Sequence, residues 1–121
     1  MDWRRVVGRR GEAEAARFLK QRGFVILEQN VRSRLGEIDL VARDRGTVVF
    51  VEVKARRAGQ GDPPEAAVTP RKQGRLGRLA QGYLKAKGLG EARCRFDVVA
   101  VTLDRDASVA AIRHIPGAFT L

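Results

Sequence analysis

In the stretch GEIDLVARDRGTVVFVEVKARR, Gly36 to Arg57, Asp39 is followed, after twelve residues, by Glu52-Val53-Lys54. Two carboxylates and an ammonium set among apolar residues at this spacing suit the hydrolysis of a phosphodiester. Magnesium prefers near-octahedral oxygen coordination and takes only one or two protein carboxylates, with water and substrate phosphate completing its shell. On adjacent antiparallel strands, Asp39 and Glu52 present two such ligands to one Mg2+ or Mn2+ ion. Alternation along a strand puts Glu52 and Lys54 on the same face, so the ammonium lies beside the ion. There it can hold the scissile phosphate or stabilise an attacking hydroxide. The ion would lower the pKa of a bound water and offset charge on phosphorus. A plainer reading competes, since a Lys–Glu pair at a strand end is a common solubilising feature of exposed sheets.

The elements that must position these groups can be read from periodicity. RRGEAEAARFLKQRG is a helix ending at Gly23, with Ala15, Ala16 and Leu19 as its buried stripe. Glu12 lies on that same stripe, either as a group at the edge of the core or as part of a site. FVILEQN, Phe24 to Asn30, reads as a first strand, and GEIDLVA and TVVFVEVKA as a hairpin through RDRG. In the hairpin Val49, Val51 and Val53 face one way and Val48, Phe50, Glu52 and Lys54 the other. Glu37 and Asp39 share a face opposite Ile38 and Leu40. Residues 55–68 are rich in Gly, Pro and Arg and predict a mobile loop. Thr69 then caps a second helix with Pro70 in its first turn. Its apolar stripe is Leu76, Leu79, Ala80, Tyr83 and Leu84, headed by Lys72 and flanked by a basic row of Arg71, Arg75 and Arg78. RFDVVAVTL is a fourth strand, apolar on both faces and central. SVAAIRHI is a fifth, and PGAFTL a terminal turn. A helix between strands three and four allows a right-handed crossover, making those strands parallel neighbours. The fold class is therefore α/β, with a mixed sheet and helices on its faces, in one domain spanning residues 1–121.

Composition narrows the partners. With 24 Lys+Arg against 14 Asp+Glu the chain carries a net charge of +10, and 19 of the basic residues are arginine. Such an excess favours a polyanion, because basic side chains gain affinity by displacing counterions from a phosphate backbone. A GC-rich genome accounts for the preference for arginine over lysine, but less well for the net excess. Cys94, the one cysteine, excludes an intramolecular disulfide and every multi-cysteine zinc site. Between Arg93 and Arg95 it reads as a buried small residue rather than a nucleophile. His114 is the sole histidine, and Asp97 reads as a strand cap or a partner for a basic group. Asn30 and Arg32 can shape the site's entrance, although a strand-end turn explains Asn30 equally well. The N-terminus has no apolar run suited to a signal peptide or a membrane span, so a soluble cytoplasmic protein without a membrane partner is expected.

GEIDLVARDRGTVVFVEVKAR, preceded by GEAEAARFLKQRGFVILEQNVR and followed by RFDVVAV, resembles the YraN-like bacterial family. The resemblance runs from about Gly8 to Phe119. That family is regarded as restriction-endonuclease-like and distantly similar to archaeal Holliday-junction resolvases. The resemblance implies an α-β-β-β-α-β core and a PD-(D/E)xK nuclease site. On that implication Asp39, Glu52 and Lys54 occupy the motif positions, with Ile38 where the motif has proline. Glu12 matches the first-helix glutamate of the resolvases and would reach the metal through water. The backbone carbonyl of Val53 would be a further ligand.

Together these readings predict a Mg2+- or Mn2+-dependent endonuclease acting on DNA rather than RNA, with branched or structured DNA as the expected form. Arg32, Arg56, Arg57, Arg71, Lys72, Arg75 and Arg78 would hold the nucleic-acid backbone. A homodimer is expected, because a monomer this small covers little duplex. Two other readings stay open. One is a nucleic-acid-binding module with a vestigial site. The other is an interaction protein in which Lys54, Glu52 and Glu12 form a structural ion-pair network.

Overall fold

The structure is a computed structural model and describes residues 2–60 and 68–119. Helix α1 (Trp3–Gln21) is followed by β1 (Val25–Ser33), β2 (Gly36–Asp44) and β3 (Thr47–Arg57), then by α2 (Pro70–Ala86), β4 (Arg93–Leu103) and β5 (Val109–Phe119). The strands form one sheet in the order β1-β2-β3-β4-β5. β3 and β4 pair in parallel through the α2 crossover, and the other neighbours are antiparallel. The α/β class and the mixed sheet are as the sequence predicts. β4 is an interior strand, but β3, not β4, stands at the middle.

Each helix covers one face of the sheet. Ala15, Ala16 and Leu19 of α1 pack on Leu40, Ala42, Val49, Val51, Val99, Val101 and Leu103. Leu76, Leu79, Ala80 and Tyr83 of α2 pack on Ile38, Val41, Val48, Phe50 and Phe96. The alternation read for β3 therefore holds. In β2 it does not, because Ile38 and Leu40, expected on one face, belong to opposite clusters. The strand changes its phase between them, at Asp39.

Several boundaries differ from expectation for local reasons. α1 starts at Trp3, six residues before the predicted start at Arg9, because the Asp2 side chain accepts the Arg4 N–H at 3.0 Å and caps it. Gly8 and Gly11 weaken the helical pattern there and hide the first turns. β3 runs through Arg57, paired with Leu103, so the loop predicted from residue 55 begins later. Most of the rest of it, residues 61–67, lies outside the described residues. Pro70 opens α2 behind a Thr69 cap, as expected. The terminal turn is instead a continuation of β5 to Phe119, whose ring stacks on Phe96 at 4.9 Å. Cys94 is exposed, not buried: it sits where β4 enters the sheet, outside both apolar clusters. Among the described residues no helix is long and apolar enough to cross a membrane.

Gly11 sets how closely α1 approaches β3. It is buried, and a Cβ built on it would collide with the Cβ of Ala55. That atom is fixed to the backbone and cannot rotate away. Gly→Ala in a helix interior ordinarily stabilises by about 1 kcal/mol. At Gly11 the sign should reverse, with an expected loss of roughly 1–3 kcal/mol from overpacking. Urea denaturation of Gly11→Ala checks this, and a variant as stable as wild type would refute the tight contact.

Candidate functional site

The site forms where the sheet loses its regularity. Pairing between β2 and β3 runs from Asp44↔Thr47 to Leu40↔Val51. Past that point the Val53 N–H is taken by the Asp39 side chain, Oδ2 accepting at 2.8 Å. On the other side, β1 pairs with β2 at Gln29↔Leu40 and Val31↔Ile38, and Asn30 between them has φ of 54°. Asparagine tolerates this left-handed backbone better than most side chains do. Asp39 thus stands in a gap, with the left-handed Asn30 of β1 on one flank and the end of the β2–β3 ladder on the other.

Glu12, the α1 residue next to the close contact at Gly11, points into this gap. One carboxylate oxygen from each of Glu12, Glu37 and Asp39 lies within 4.8 Å of the others. The Asn30 amide, oriented so that both its polar atoms are satisfied, donates to Glu12 Oε1 at 3.1 Å and to Glu37 Oε1 at 2.6 Å. Arg32 Nε approaches Glu37 Oε2 at 3.3 Å from solvent. Glu52 lies beside the group and is paired with Lys54 Nζ at 3.0 Å.

The electrostatics follow from this crowding. Burial, then repulsion by Glu52, pushes the Asp39 carboxyl up to about 7, against the opposing hydrogen bond from Val53. Burial and then Glu37 raise Glu12 as well, and Asn30 opposes them. For Lys54, burial favours the neutral amine, but the adjacent Glu52 outweighs it and the pKa rises. Lys72, at the start of α2, is lowered chiefly by Lys54. The two ammonium groups are therefore neighbours on the α2 side of Glu52. Three carboxylates gathered in a half-buried gap raise one another's proton affinity, and such hard oxygen donors suit a divalent ion such as Mg2+ or Mn2+.

The profile of the family described as "Uncharacterised protein family UPF0102" matches residues 11–101, a span that holds Glu12, Glu37, Asp39, Glu52 and Lys54. The chain belongs to the UPF0102 family. A UPF0102 protein of Geotalea uraniireducens is 49% identical over 95% of this chain and 90% of its own length. One from Pelotomaculum thermopropionicum is 46% identical over 98% of both chains. Another, from Moorella thermoacetica, is 49% identical over 96% of this chain and 97% of its own. The family resemblance drawn from the sequence motifs is borne out.

In this UPF0102 protein the four side chains singled out from sequence, Glu12, Asp39, Glu52 and Lys54, converge at one end of the sheet. At ligand distance, however, the group is Glu12, Glu37 and Asp39, with Glu52 beside it rather than within it. The sequence pattern had placed Glu37 on a face with Asp39 without making it a site residue. The basic residues divide. Arg32 lines a cleft of about 700 Å³ with Arg5, Arg9, Asn30, Glu12 and Glu37. Arg56 and Arg57 line a second cleft, of about 730 Å³, with Arg4, Glu12 and Lys54. Arg75 lies by Gly36, and Arg78 lines a groove with Leu35 and Tyr83. Arg71 is exposed on α2. Sequence reasoning missed Arg4, Arg5 and Arg9, although Arg5, Arg9 and Glu12 at i, i+4 and i+7 already share a helix face.

Proposed function

We propose that this protein is a divalent-metal-dependent endonuclease of restriction-endonuclease-like type, hydrolysing phosphodiesters in DNA, with branched or structured DNA as the favoured form. The observation that carries the reading is the convergence of Glu12, Glu37 and Asp39 within ligand distance, next to the Glu52–Lys54 pair. Asp39, Glu52 and the Val53 carbonyl would hold Mg2+ or Mn2+ directly, with Glu12 reaching it through water and Glu37 beside them, which leaves positions for water and phosphate. When bound, the ion supplies Lewis-acid polarisation of the phosphate and acidifies water. The Val53 N–H fixes the rotamer of Asp39, and Asn30 holds Glu12 and Glu37 together. Lys54, which lines a cleft with Glu12, and the neighbouring Lys72 offer positive charge to the phosphate. The arginines around Glu12 supply the salt-sensitive part of nucleic-acid affinity. A homodimer acting in the cytoplasm goes with this reading.

The Lys54–Glu52 contact at 3.0 Å favours a second reading, in which the polar groups are structural and the protein binds nucleic acid without cutting it. Cleavage separates the two. Wild type is incubated with Mg2+ or Mn2+ and duplex, flap, four-way-junction and single-stranded DNA, and RNA, beside Asp39→Ala and Glu52→Ala. Cutting by wild type alone supports the enzyme. Equal cutting by all three identifies a contaminant, and binding without any cutting leaves the second reading ahead.

Metal binding has its own pH signature. Below about 7 Asp39 holds a proton that a cation must displace. Manganese affinity, followed by titration calorimetry, should therefore rise about tenfold per pH unit up to that value and then level off. An affinity independent of pH between 5 and 8 would rule out Asp39 as a ligand.

A further inference from the structure

The two clefts share two lining residues, Glu12 and, one helical turn before it, Gly8. The presence of Gly8 has no explanation in the fold. A Cβ at Gly8 would meet nothing within 4 Å, and its backbone is not among the positive-φ glycines. Glycine inside a helix is costly relative to alanine, so packing alone would favour alanine here. The neighbouring charges are also costly. The first turn of α1 has no acidic residue, and Arg4 and Arg5 lie in that turn, at the end of the helix that repels cations. Arg10 is tied into the fold by Glu14 at 3.1 Å and by the Ala107 carbonyl at 3.1 Å. Arg5 and Arg9 wall one cleft and Arg4 the other. Local choices that cost stability and cluster at one place mark a functional surface.

We propose that the sugar–phosphate backbone of the nucleic acid crosses α1 over Gly8, with phosphates held in the arginine-walled clefts on either side. Gly8 keeps the saddle low, so the strand passes within reach of Glu12 and of the acidic group behind it. This path runs over α1, whereas the sequence had also assigned backbone contacts to Arg71, Arg75 and Arg78 of α2. The inference rests on the nucleic-acid partner of the proposed function, and it does not require cleavage.

The test is fluorescence anisotropy of fluorescein-labelled single-stranded and duplex DNA in EDTA, over a series of salt concentrations. Gly8→Leu should weaken binding by roughly tenfold, the equivalent of one or two lost phosphate contacts. Gly8→Ala should bind more weakly by a smaller factor while melting a few degrees higher, a combination that a merely structural glycine cannot give. Arg5→Ala and Arg9→Ala should each lower the slope of log K against log salt by about 1, and Arg75→Ala and Arg78→Ala should leave it unchanged. Wild-type affinity in Gly8→Ala and in folded Gly8→Leu would overturn the path and leave the proposed nuclease standing. Loss of binding in these variants, in a protein that never cuts, would sustain the path and overturn the nuclease. A wild type that binds neither DNA overturns both.

Discussion

Asp39→Asn is expected to abolish saturable manganese binding and to lower cleavage by more than about a thousandfold, while making the metal-free protein more stable above pH 7. The loss of activity follows from removing the carboxylate that all the other acids surround, since metal stabilisation of the transition state is worth several kcal/mol. The gain in stability follows from the burial of Asp39 and then from its repulsion by Glu52. The folded pKa of Asp39 is raised to about 7 from an ordinary 3.8. Between these values the folded state binds a proton that the unfolded state has released, so wild-type stability falls as pH rises, by about 1.4 kcal/mol per pH unit. Below 3.8 both states are protonated and the term vanishes. Above 7 the full cost is present. An asparagine can still accept from the Val53 N–H through its amide oxygen and carries no charge, so it escapes that cost. Urea denaturation at pH 4.0 and 8.0 without divalent ions measures the difference. The variant should match wild type at the lower pH and exceed it by a few kcal/mol at the higher. A variant equally stable at both would mean that Asp39 is not under electrostatic strain, and the main physical argument for a cation here would be lost.

Much of this was legible in the sequence because it depends on local rules. Period-two alternation placed the valines of β3, the Thr69-Pro70 pair announced α2, and a helix between two strands required a parallel pair. The spacing of Asp39, Glu52 and Lys54 singled out three side chains that lie near one another at one end of the sheet. What could not be read were the irregularities that shape this acidic cluster. The phase change at Asp39 moves Ile38 and Leu40 to opposite faces, and no side chain nearby announces it. The left-handed Asn30 lets a single amide reach both Glu12 and Glu37. Its sequence signal is the same as that of an ordinary turn. Glu37 was passed over because only tertiary contact with α1 tells it apart from any exposed strand-end acid. The arginines of the first turns were hidden when two glycines delayed the predicted start of the helix. In each case the missing information was a long-range contact that overrode a local preference.

Asp97→Ala is expected to be the most destabilising single substitution away from the site, costing roughly 3–5 kcal/mol, because it strands buried partners of a fully buried carboxylate. Asp97 has no exposed surface. Its Oδ1 accepts from Arg95 Nε at 3.0 Å and from the Gly117 N–H at 2.9 Å. Its Oδ2 accepts from His114 Nε2 at 2.8 Å and from Arg95 Nη2 at 3.3 Å. Arg95 also donates to Asp44 Oδ2 at 3.0 Å, which ties in the end of β2. Gly117 has φ of 58° and lies where the register of β4 and β5 shifts, so its N–H has left the regular ladder. Asp97 supplies the acceptor that this bulge needs and thereby carries β5 past Pro116 to Phe119. Burial alone would raise its pKa, but the hydrogen bonds from His114, Arg95 and Gly117 outweigh this and hold it below the usual 3.8. For a depressed carboxyl, the stabilisation is complete above the unfolded value and disappears as pH falls through the folded one. Wild type should therefore exceed Asp97→Ala at neutral pH, and the contribution of this carboxyl should shrink only below about pH 4. Against a typical domain stability of about 5–15 kcal/mol, such a loss leaves a variant that is marginal at 37 °C. Amide exchange gives an independent readout, since β5 should lose protection before β2 and β3 do. A loss under about 1 kcal/mol, within the range of an ordinary surface substitution, would show that the hydrophobic faces alone hold β5 in place.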